Sequence, residues 1–404
     1  MDNIQRKTSP LRMLFVAPYI PYPPYSGSSI RIYNLMRHLA RQHSVTCIGF
    51  ESPFGGGGAS QLKRLGICAR ALPTPPRLQG AYLARATVNL LLRGRSLLEQ
   101  RYWSTDLARH VREITSHSPH DVVQFELLQM GAYLPQACSG LRVLVEHDAM
   151  FLTFERMAMA SGPVRAFVAR REARRLRALT RRYAQQADCC VAVSEADQRV
   201  LQEVAGRPFV VIPNGVDLQA FAPMPHCAGP PAVVFSANMN WAPNAEACQW
   251  LVREIMPAVW ARCPDVRCDL VGSTPPPRVS RLAGPRVRVT GTVPDTRPYL
   301  AAASVVVVPI RWGTGTRLKI LEGLAMRRPV VSTTVGAEGL NLHPGLDYVL
   351  ADDAEEFARA VVALLNDPAL AERLAEHGHQ TVAAQYDWSV IAAALERLYY
   401  EARQ

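Results

Sequence analysis

Lys319 and Glu322, three residues apart, form the pair with the most chemistry to offer. They lie in SVVVVPIRWGTGTRLKILEGLAMRRPVVSTTVGAEG, Ser304 to Gly339. On a helix this spacing puts both on one face. The cation can meet a diphosphate, and the carboxylate can accept two hydrogen bonds from neighbouring ribose hydroxyls. The same spacing also describes an ordinary surface ion pair. If Arg317 is already helical, it points roughly 140° away from Glu322 at about 100° per residue, which favours Lys319 as the partner. The surrounding elements can be read as well. Val305 to Val308 is a buried strand stopped by Pro309, and Gly313 and Gly315 flank Thr314 in a turn. A helix of about a dozen residues then carries Leu318, Leu321, Leu324 and Ala325 at helical spacing. Pro329 to Ser332 closes a strand–helix–strand unit of the parallel kind. Gly313, Thr314, Gly315 and Thr316 therefore stand at the carboxyl edge of a sheet, where helix-start amides and the dipole favour an anion.

The first half repeats this logic. Arg12 to Ala17 reads as a strand, followed by PYIPYPPYSGSS and a helix from Ile30 to about Gln42. Gly27 lets backbone approach a ligand, and Ser28 or Ser29 can cap the helix. The chain lacks G-x-G-x-x-G here, so this is no dinucleotide fingerprint. Val45 to Phe50 reads as the second strand, Gly55 to Gly58 as a flexible loop and Ala81 to Glu113 as helix. Asp121 to Phe125 runs into Glu126, and Leu141 to Val145 runs into Glu146, His147 and Asp148. Ligands bind beyond the carboxyl ends of parallel strands, which makes Glu126 and His147 candidates; a lone histidine there can equally be structural. Asp188 to Val193 and Val210 to Asp217 are further strands. The proline-rich Phe221 to Pro231 has linker composition. Strands Ala232 to Ser236, Arg267 to Val271 and Arg286 to Thr290 follow, with a helix Asn244 to Arg262. Gly272 and Gly291 stand directly after strands. The chain ends in helices Ala354 to Asn366, Pro368 to Ala384 and Trp388 to Ala402. Asp352, Asp353, Glu355 and Glu356 crowd a helix start, where carboxylates serve the dipole. No D-x-D occurs, so no divalent metal is expected.

With 404 residues the chain suits two domains, and 49% hydrophobic content with 20% charge describes a globular protein. No apolar run approaches the roughly 18 residues needed to cross a bilayer. Met13 to Ile20 reads as a strand, not a signal peptide. Nine cysteines without a C-x-x-C pair suggest free thiols in a reducing cytoplasm. The net charge of +11 points to anionic partners. Eight arginines fall between Pro163 and Ala184, where Leu176, Leu179 and Tyr183 add an apolar stripe. Arg165 to Arg182 can therefore serve an anionic membrane surface, or simply be a solvated helix face. Nucleic acid is not expected, because no aromatic residues alternate with the arginines.

Together these pieces resemble the family 4 glycosyltransferases of the GT-B fold. The matching stretches are GSSIRIYNLM, HD at 147 and 148, ADCCVAVSE, VIPNGVD, VTGTVPD and GTGTRLKILEGLAMRRPVVSTTVGAEG. The resemblance implies an α/β architecture of two Rossmann-like domains facing across a cleft. The N-terminal one is expected over residues 10–217 and the C-terminal one over 218–385, with a last helix, 386–404, crossing back. It implies a nucleotide sugar as donor substrate, no further cofactor, a saccharide or lipid-linked acceptor, and transfer with retention of configuration. Glu322 looks like the ribose-binding glutamate, His147 like the histidine that contacts the donor sugar, and Gly27 with Ser28 like the loop beside the diphosphate. Val293 lies near where the nucleobase would sit.

Two departures stand out. The family's E-x7-E pair places its first glutamate at Thr314. Asn238 to Asn244, NMNWAPN, replaces the usual Arg and Lys after the first strand of the second domain, leaving Asn238 and Asn240 as the polar groups there. Thr314 keeps a catalytically silent nucleotide-sugar-binding protein open as an alternative. A sugar-nucleotide epimerase would need Glu126 and Glu146 as its acid and base. A glycosyl phosphorylase is disfavoured, since no lysine context for pyridoxal phosphate is apparent.

Overall fold

The computed structural model describes all residues except 1–8, 53–54, 76–79, 160–161, 225–228, 314, 316 and 404. The chain divides into two units: residues up to Pro213 together with those from Ile391 onward, and Asn214–Val390. Each has its own parallel sheet and its own apolar core.

Among the described residues, the first unit holds β1 (Arg12–Val16), β2 (Ser44–Phe50), β3 (Cys68–Leu72), β4 (Val122–Glu126), β5 (Leu141–Glu146), β6 (Cys189–Ala192) and β7 (Val210–Val211). Their spatial order is β3-β2-β1-β4-β5-β6-β7. The second unit holds β8 (Ala232–Ser236), β9 (Arg267–Val271), β10 (Val287–Val289), β11 (Val305–Val308), β12 (Val330–Ser332) and β13 (Val349–Leu350), in the order β10-β9-β8-β11-β12-β13. The order reverses between β1 and β4 in one sheet and between β8 and β11 in the other. Crevices for ligands open at the carboxyl ends of strands at such points.

Continuous apolar runs account for the central strands. Val305 to Val308 are all at most 1% exposed, as expected of strands covered on both faces. The helix Leu318–Ala325 buries Ile320, Leu321, Leu324 and Ala325. A Cβ on Gly323 would come within 3.2 Å of Val306 and 3.3 Å of Val330, so glycine lets this helix lie close on the sheet.

Several expectations are corrected. β3 went unread because CARAL is an edge strand with an exposed arginine, not an apolar run. The helix expected over 81–113 is three helices, Gly80–Arg93, Leu97–Tyr102 and Thr105–His117, broken at Gly94, whose φ is 60°, and restarted by Ser96 and Ser104 as caps. Gly58 opens the helix Gly58–Arg64 and does not belong to a loop. The helix expected over Asn244 to Arg262 passes through a π-turn, Leu251–Ile255. Pro257, two residues on, has no N–H for the regular ladder. Of the acidic residues near 353, only Asp353 caps the helix, accepting from the Glu356 amide. Asp352 instead accepts from the amide and hydroxyl of Thr334, at 2.8 and 2.6 Å.

The terminal helix Trp388–Ala402 carries the chain from the second unit into the first. At its start, the Val216 amide donates to the Tyr386 carbonyl, and a Cβ on Gly215 would lie 2.7 Å from that oxygen. These contacts tie residues 386–388 to the second unit, and the first unit resumes at Ile391. Further on, Tyr399 donates to Gln124, Arg403 pairs with Asp121 and Glu396 pairs with His43.

Candidate active site

In the second unit the residues singled out from sequence gather at the β8/β11 switch point. Leu318 is the first helical residue, and Arg317, with φ −91° and ψ 88°, is the cap. Arg317 is therefore not helical, and its orientation cannot be read from helical spacing. Its guanidinium turns back and donates to the Gly315 carbonyl at 2.6 Å, so it braces the turn. Gly313 and Gly315 have φ of 118° and 84°, a region that favours glycine. A Cβ on Gly313 would also meet the Arg317 guanidinium at 3.0 Å. Thr314 and Thr316 lie outside the described residues. Among the described residues no side chain caps the helix, which leaves its first amides for another acceptor.

Lys319 is half-buried. Its Nζ donates to Asn244 Oδ1 at 3.1 Å and sits 4.5 Å from the centre of the Phe235 ring. Burial, and then the neighbouring Arg317 charge, pull its pKa down to about 7. Glu322 lies on the same helix, and burial pushes its carboxyl up to about 7 against the pull of Lys319. Among the described residues the two form no direct ion pair and the Glu322 carboxylate has no hydrogen-bond partner. A half-buried acceptor and a half-buried cation, both poised near neutral pH, suit a polar ligand.

Asn244 extends the cluster. Its Nδ2 donates to the Asn238 carbonyl at 2.7 Å, and Asn238 Oδ1 accepts from the Asn240 amide and the Thr274 hydroxyl. NMNWAPN is thus a hydrogen-bonded loop running into the helix Ala242–Trp250, whose Asn244 fixes Lys319, with Asn238 and Asn240 themselves exposed. Gly272 has a packing reason of its own: a Cβ there would sit 1.9 Å from the Ala237 carbonyl. Val293 is half-buried against the core of this unit, in the loop after β10.

In the first unit, β1 and β4 bring Gly27 and Glu126 to the other switch point. The helix Gly27–Leu39 starts earlier than expected, and Ser26, not Ser28 or Ser29, caps it. Ser26 Oγ accepts from the Ser29 amide at 3.2 Å, and Ser29 Oγ accepts from the Ser26 amide at 2.9 Å, a reciprocal box. Ser28 bonds the Tyr19 hydroxyl at 2.9 Å. Gly27 is exposed, and nothing lies within 4 Å of where its Cβ would be, so the space in front of this helix start is open.

Glu126 is fully buried. It accepts from Gln124 Nε2 at 2.6 Å and lies 2.7 Å from His147 Nε2. Burial alone would raise its pKa, but the bond to His147, the nearby Arg31 and Gln124 hold it below the ordinary value. Burial keeps His147 below its usual value as well. A neutral imidazole beside a carboxylate donates through Nε2, which leaves the Nδ1 lone pair to accept from a hydroxyl. Arg31, wholly buried, donates to the Pro213 carbonyl at 2.6 Å, and burial pulls its pKa down to about 10. Glu146 points elsewhere: it accepts from Thr180 at 3.3 Å, and burial pushes its carboxyl up to about 8. Neutral and enclosed, it does not suit the acid–base pair an epimerase would need.

Arg31, Gln124 and Asn244 were missed in the sequence. Two of them had a signal: Gln124 interrupts an apolar strand, and Arg31 stands one turn before Leu35 on the buried helix face. Leu176, Leu179 and Tyr183 of the arginine-rich helix Pro163–Gln186 are all buried in the core of the first unit. The apolar stripe therefore serves folding, while Arg165, Arg170, Arg174, Arg181 and Arg182 are exposed to solvent.

Comparison with known proteins agrees with this geometry. A model of Glycosyltransferase Family 4 matches residues 25–220, and a model of Glycosyl transferases group 1 matches residues 230–367. The phosphatidyl-myo-inositol mannosyltransferase of Mycobacterium leprae is 30% identical over 220 residues, 52% of this chain and 58% of that protein. The chain thus spans little more than half the length of that relative. The lipopolysaccharide core biosynthesis glycosyltransferase LpsE of Rhizobium meliloti is 38% identical over 115 residues, 28% of this chain and 34% of the relative. Among solved structures, sucrose-phosphate synthase from Thermosynechococcus elongatus superposes with a TM-score of 0.71 at 19% identity, covering 96% of this chain and 98% of that one. Anabaena HepE in complex with UDP and glucose gives 0.67 at 15% identity, covering 96% and 99%. At these identities the structural likeness concerns the fold. With one family model on each Rossmann-like unit, the chain belongs to the family 4 glycosyltransferases of the GT-B fold.

Proposed function

We propose that the protein transfers a sugar from a nucleoside-diphosphate donor to a saccharide or lipid-linked acceptor, with retention of configuration, in building a cell-surface polysaccharide or glycolipid. The observation that carries this reading is the start of Leu318–Ala325, which no side chain caps among the described residues, with Lys319 and Glu322 beside it at a switch point. The neighbour solved with UDP and glucose and the relatives named for mannosyl and lipopolysaccharide core transfer support it.

In this reading the donor's diphosphate lies against the turn from Gly313 to Leu318, and Glu322 accepts from the ribose hydroxyls. Asn238, Asn240, Gly272 and Val293 border the nucleotide, Gly27 and Ser28 meet its phosphates, and His147 meets the sugar through Nδ1. Breaking the bond from sugar to phosphate leaves negative charge on the phosphate and positive charge on the anomeric carbon. Helix amides and Lys319 stabilise the first, acting where charge develops. Arg317 adds positive charge while holding the turn. A phosphate oxygen on the same face takes the acceptor's proton, so the step assigns no protein nucleophile, metal or cofactor. The exposed arginines between Arg165 and Arg182 are proposed to rest on an anionic membrane at its cytoplasmic side.

The test is a transfer assay with uridine, guanosine and adenosine diphosphate sugars, the product's anomeric configuration being read by NMR. We expect one donor to give a product of retained configuration and Lys319→Ala to lower turnover about 100-fold or more. Tight donor binding with no transfer to any acceptor would favour the silent binding protein.

A further inference from the structure

A cavity of about 680 Å³ lies among the helices of the first unit, and none of the donor-site residues named above lines it. Four arginines line it, Arg85, Arg95, Arg175 and Arg182, against one carboxylate, Glu99. Glu99 is already engaged, accepting from the Tyr183 hydroxyl at 2.6 Å. Arg175 Nε and Gln186 Oε1 are buried without a hydrogen-bond partner among the described residues. Leaving such groups unmade costs free energy, so each is a place where a ligand gains.

The walls are held by fixed contacts. Glu172 accepts from Ser96 and from the Leu97 and Leu98 amides, at 2.7, 2.9 and 3.1 Å, and so pins the helix Leu97–Tyr102 to the arginine-rich helix. Tyr133 donates to the Tyr102 carbonyl at 2.6 Å, and the Trp103 ring stacks on it at 5.1 Å. Trp103 itself lines the cavity and is 43% exposed, leaving aromatic surface for a partner.

Each feature selects part of a ligand. Four guanidinium groups repel one another and call for an anion with several oxygens, which the planar fork of arginine grips in pairs. A buried amide oxygen calls for a hydroxyl. Free aromatic surface suits the C–H side of a polyol ring. The volume exceeds what a bare phosphate would fill.

We propose that this cavity is a second ligand site, separate from the donor site, which binds a phosphorylated polyol or monosaccharide. Arg175 donates to the phosphate, Gln186 accepts from a hydroxyl, and Trp103 packs on the ring. The ligand can be a free sugar phosphate or the head group of an inositol phospholipid. Two probes separate these sources: glucose 6-phosphate titrated calorimetrically, and vesicles containing phosphatidylinositol in a sedimentation assay. The full chain is used, with Arg175→Gln and, as a milder change at an exposed residue, Arg182→Gln. We expect one probe to bind and Arg175→Gln to weaken it about ten- to hundred-fold. Arg182→Gln should weaken it less, while UDP and GDP affinities stay unchanged in both variants. Binding of glucose 6-phosphate assigns the site to a soluble ligand, and binding only to vesicles assigns it to the head group. Binding of neither probe, or equal binding by wild type and both variants, overturns the proposal. Because nucleotide binding is read separately, failure of the donor-site reading leaves this result interpretable.

Discussion

His147 owes its orientation to Glu126, a buried carboxylate with no route to solvent. Gln124 and the Tyr399 hydroxyl continue the chain of hydrogen bonds behind it. Replacing Glu126 by glutamine keeps the shape but removes the charge that fixes which ring nitrogen carries the proton. We expect Glu126→Gln to lower kcat about 10- to 100-fold while nucleotide affinity, measured by calorimetry, is unchanged. A parallel loss of nucleotide affinity would mean that Glu126 acts through folding. The second residue-scale prediction concerns Lys319. Burial first and Arg317 second depress its pKa to about 7, so much of the ammonium is lost as pH rises through 7. A diphosphate prefers the charged form and raises that pKa on binding, so protons are taken up at and above pH 7. Nucleotide affinity should therefore fall between pH 7 and 9. Calorimetry at pH 8 in buffers of different ionisation enthalpy should show net proton uptake that vanishes in Lys319→Ala; proton release would contradict the assignment.

Among the elements, the helix Pro163–Gln186 turns one face to the core and the other to solvent. Burial of Ala166, Ala169, Leu176, Leu179 and Tyr183 fixes its orientation, so the arginines face outward as a result of folding. Arg175, whose Nε is buried, and Arg177, which pairs with Glu155 at 2.7 Å and stacks over Phe151, are exceptions. If the exposed face meets lipid, the attraction is Coulombic and worth about 1 kcal/mol per arginine near an anionic surface. Changing Arg165, Arg170 and Arg174 together to glutamine should then weaken binding to phosphatidylserine vesicles by roughly 100-fold at low salt, since these additive terms approach 3 kcal/mol. Salt should weaken the wild type too. Vesicle binding that is indifferent to both would remove the membrane contact. None of the three arginines lines the cavity, so this test is independent of the second ligand site.

At the level of the whole molecule, two Rossmann-like units each place glycine turns and polar groups at a reversal of strand order. Much of this was legible in the chain. β11 is four valines, β4 and β5 are apolar runs ending in polar residues, and Lys319 and Glu322 announce themselves by spacing. What escaped depends on tertiary context. β3 is an edge strand with mixed polarity, and the Ser26 box competes with two equally suitable serines next to it. The backward turn of Arg317 follows from a cap conformation that sequence periodicity does not encode. The shared task of Asn244 and Lys319 joins residues 75 apart in the chain. The central claim is that the turn ahead of Leu318 holds a nucleoside diphosphate, with Lys319 on the phosphates and Glu322 on the ribose. Calorimetric titration of UDP and GDP into the full chain, compared with Lys319→Ala and Glu322→Gln, tests it most directly. We expect one nucleotide to bind and each substitution to weaken it about ten-fold or more. Unchanged affinity in both variants, with the fold intact, would place the nucleotide elsewhere and contradict the account.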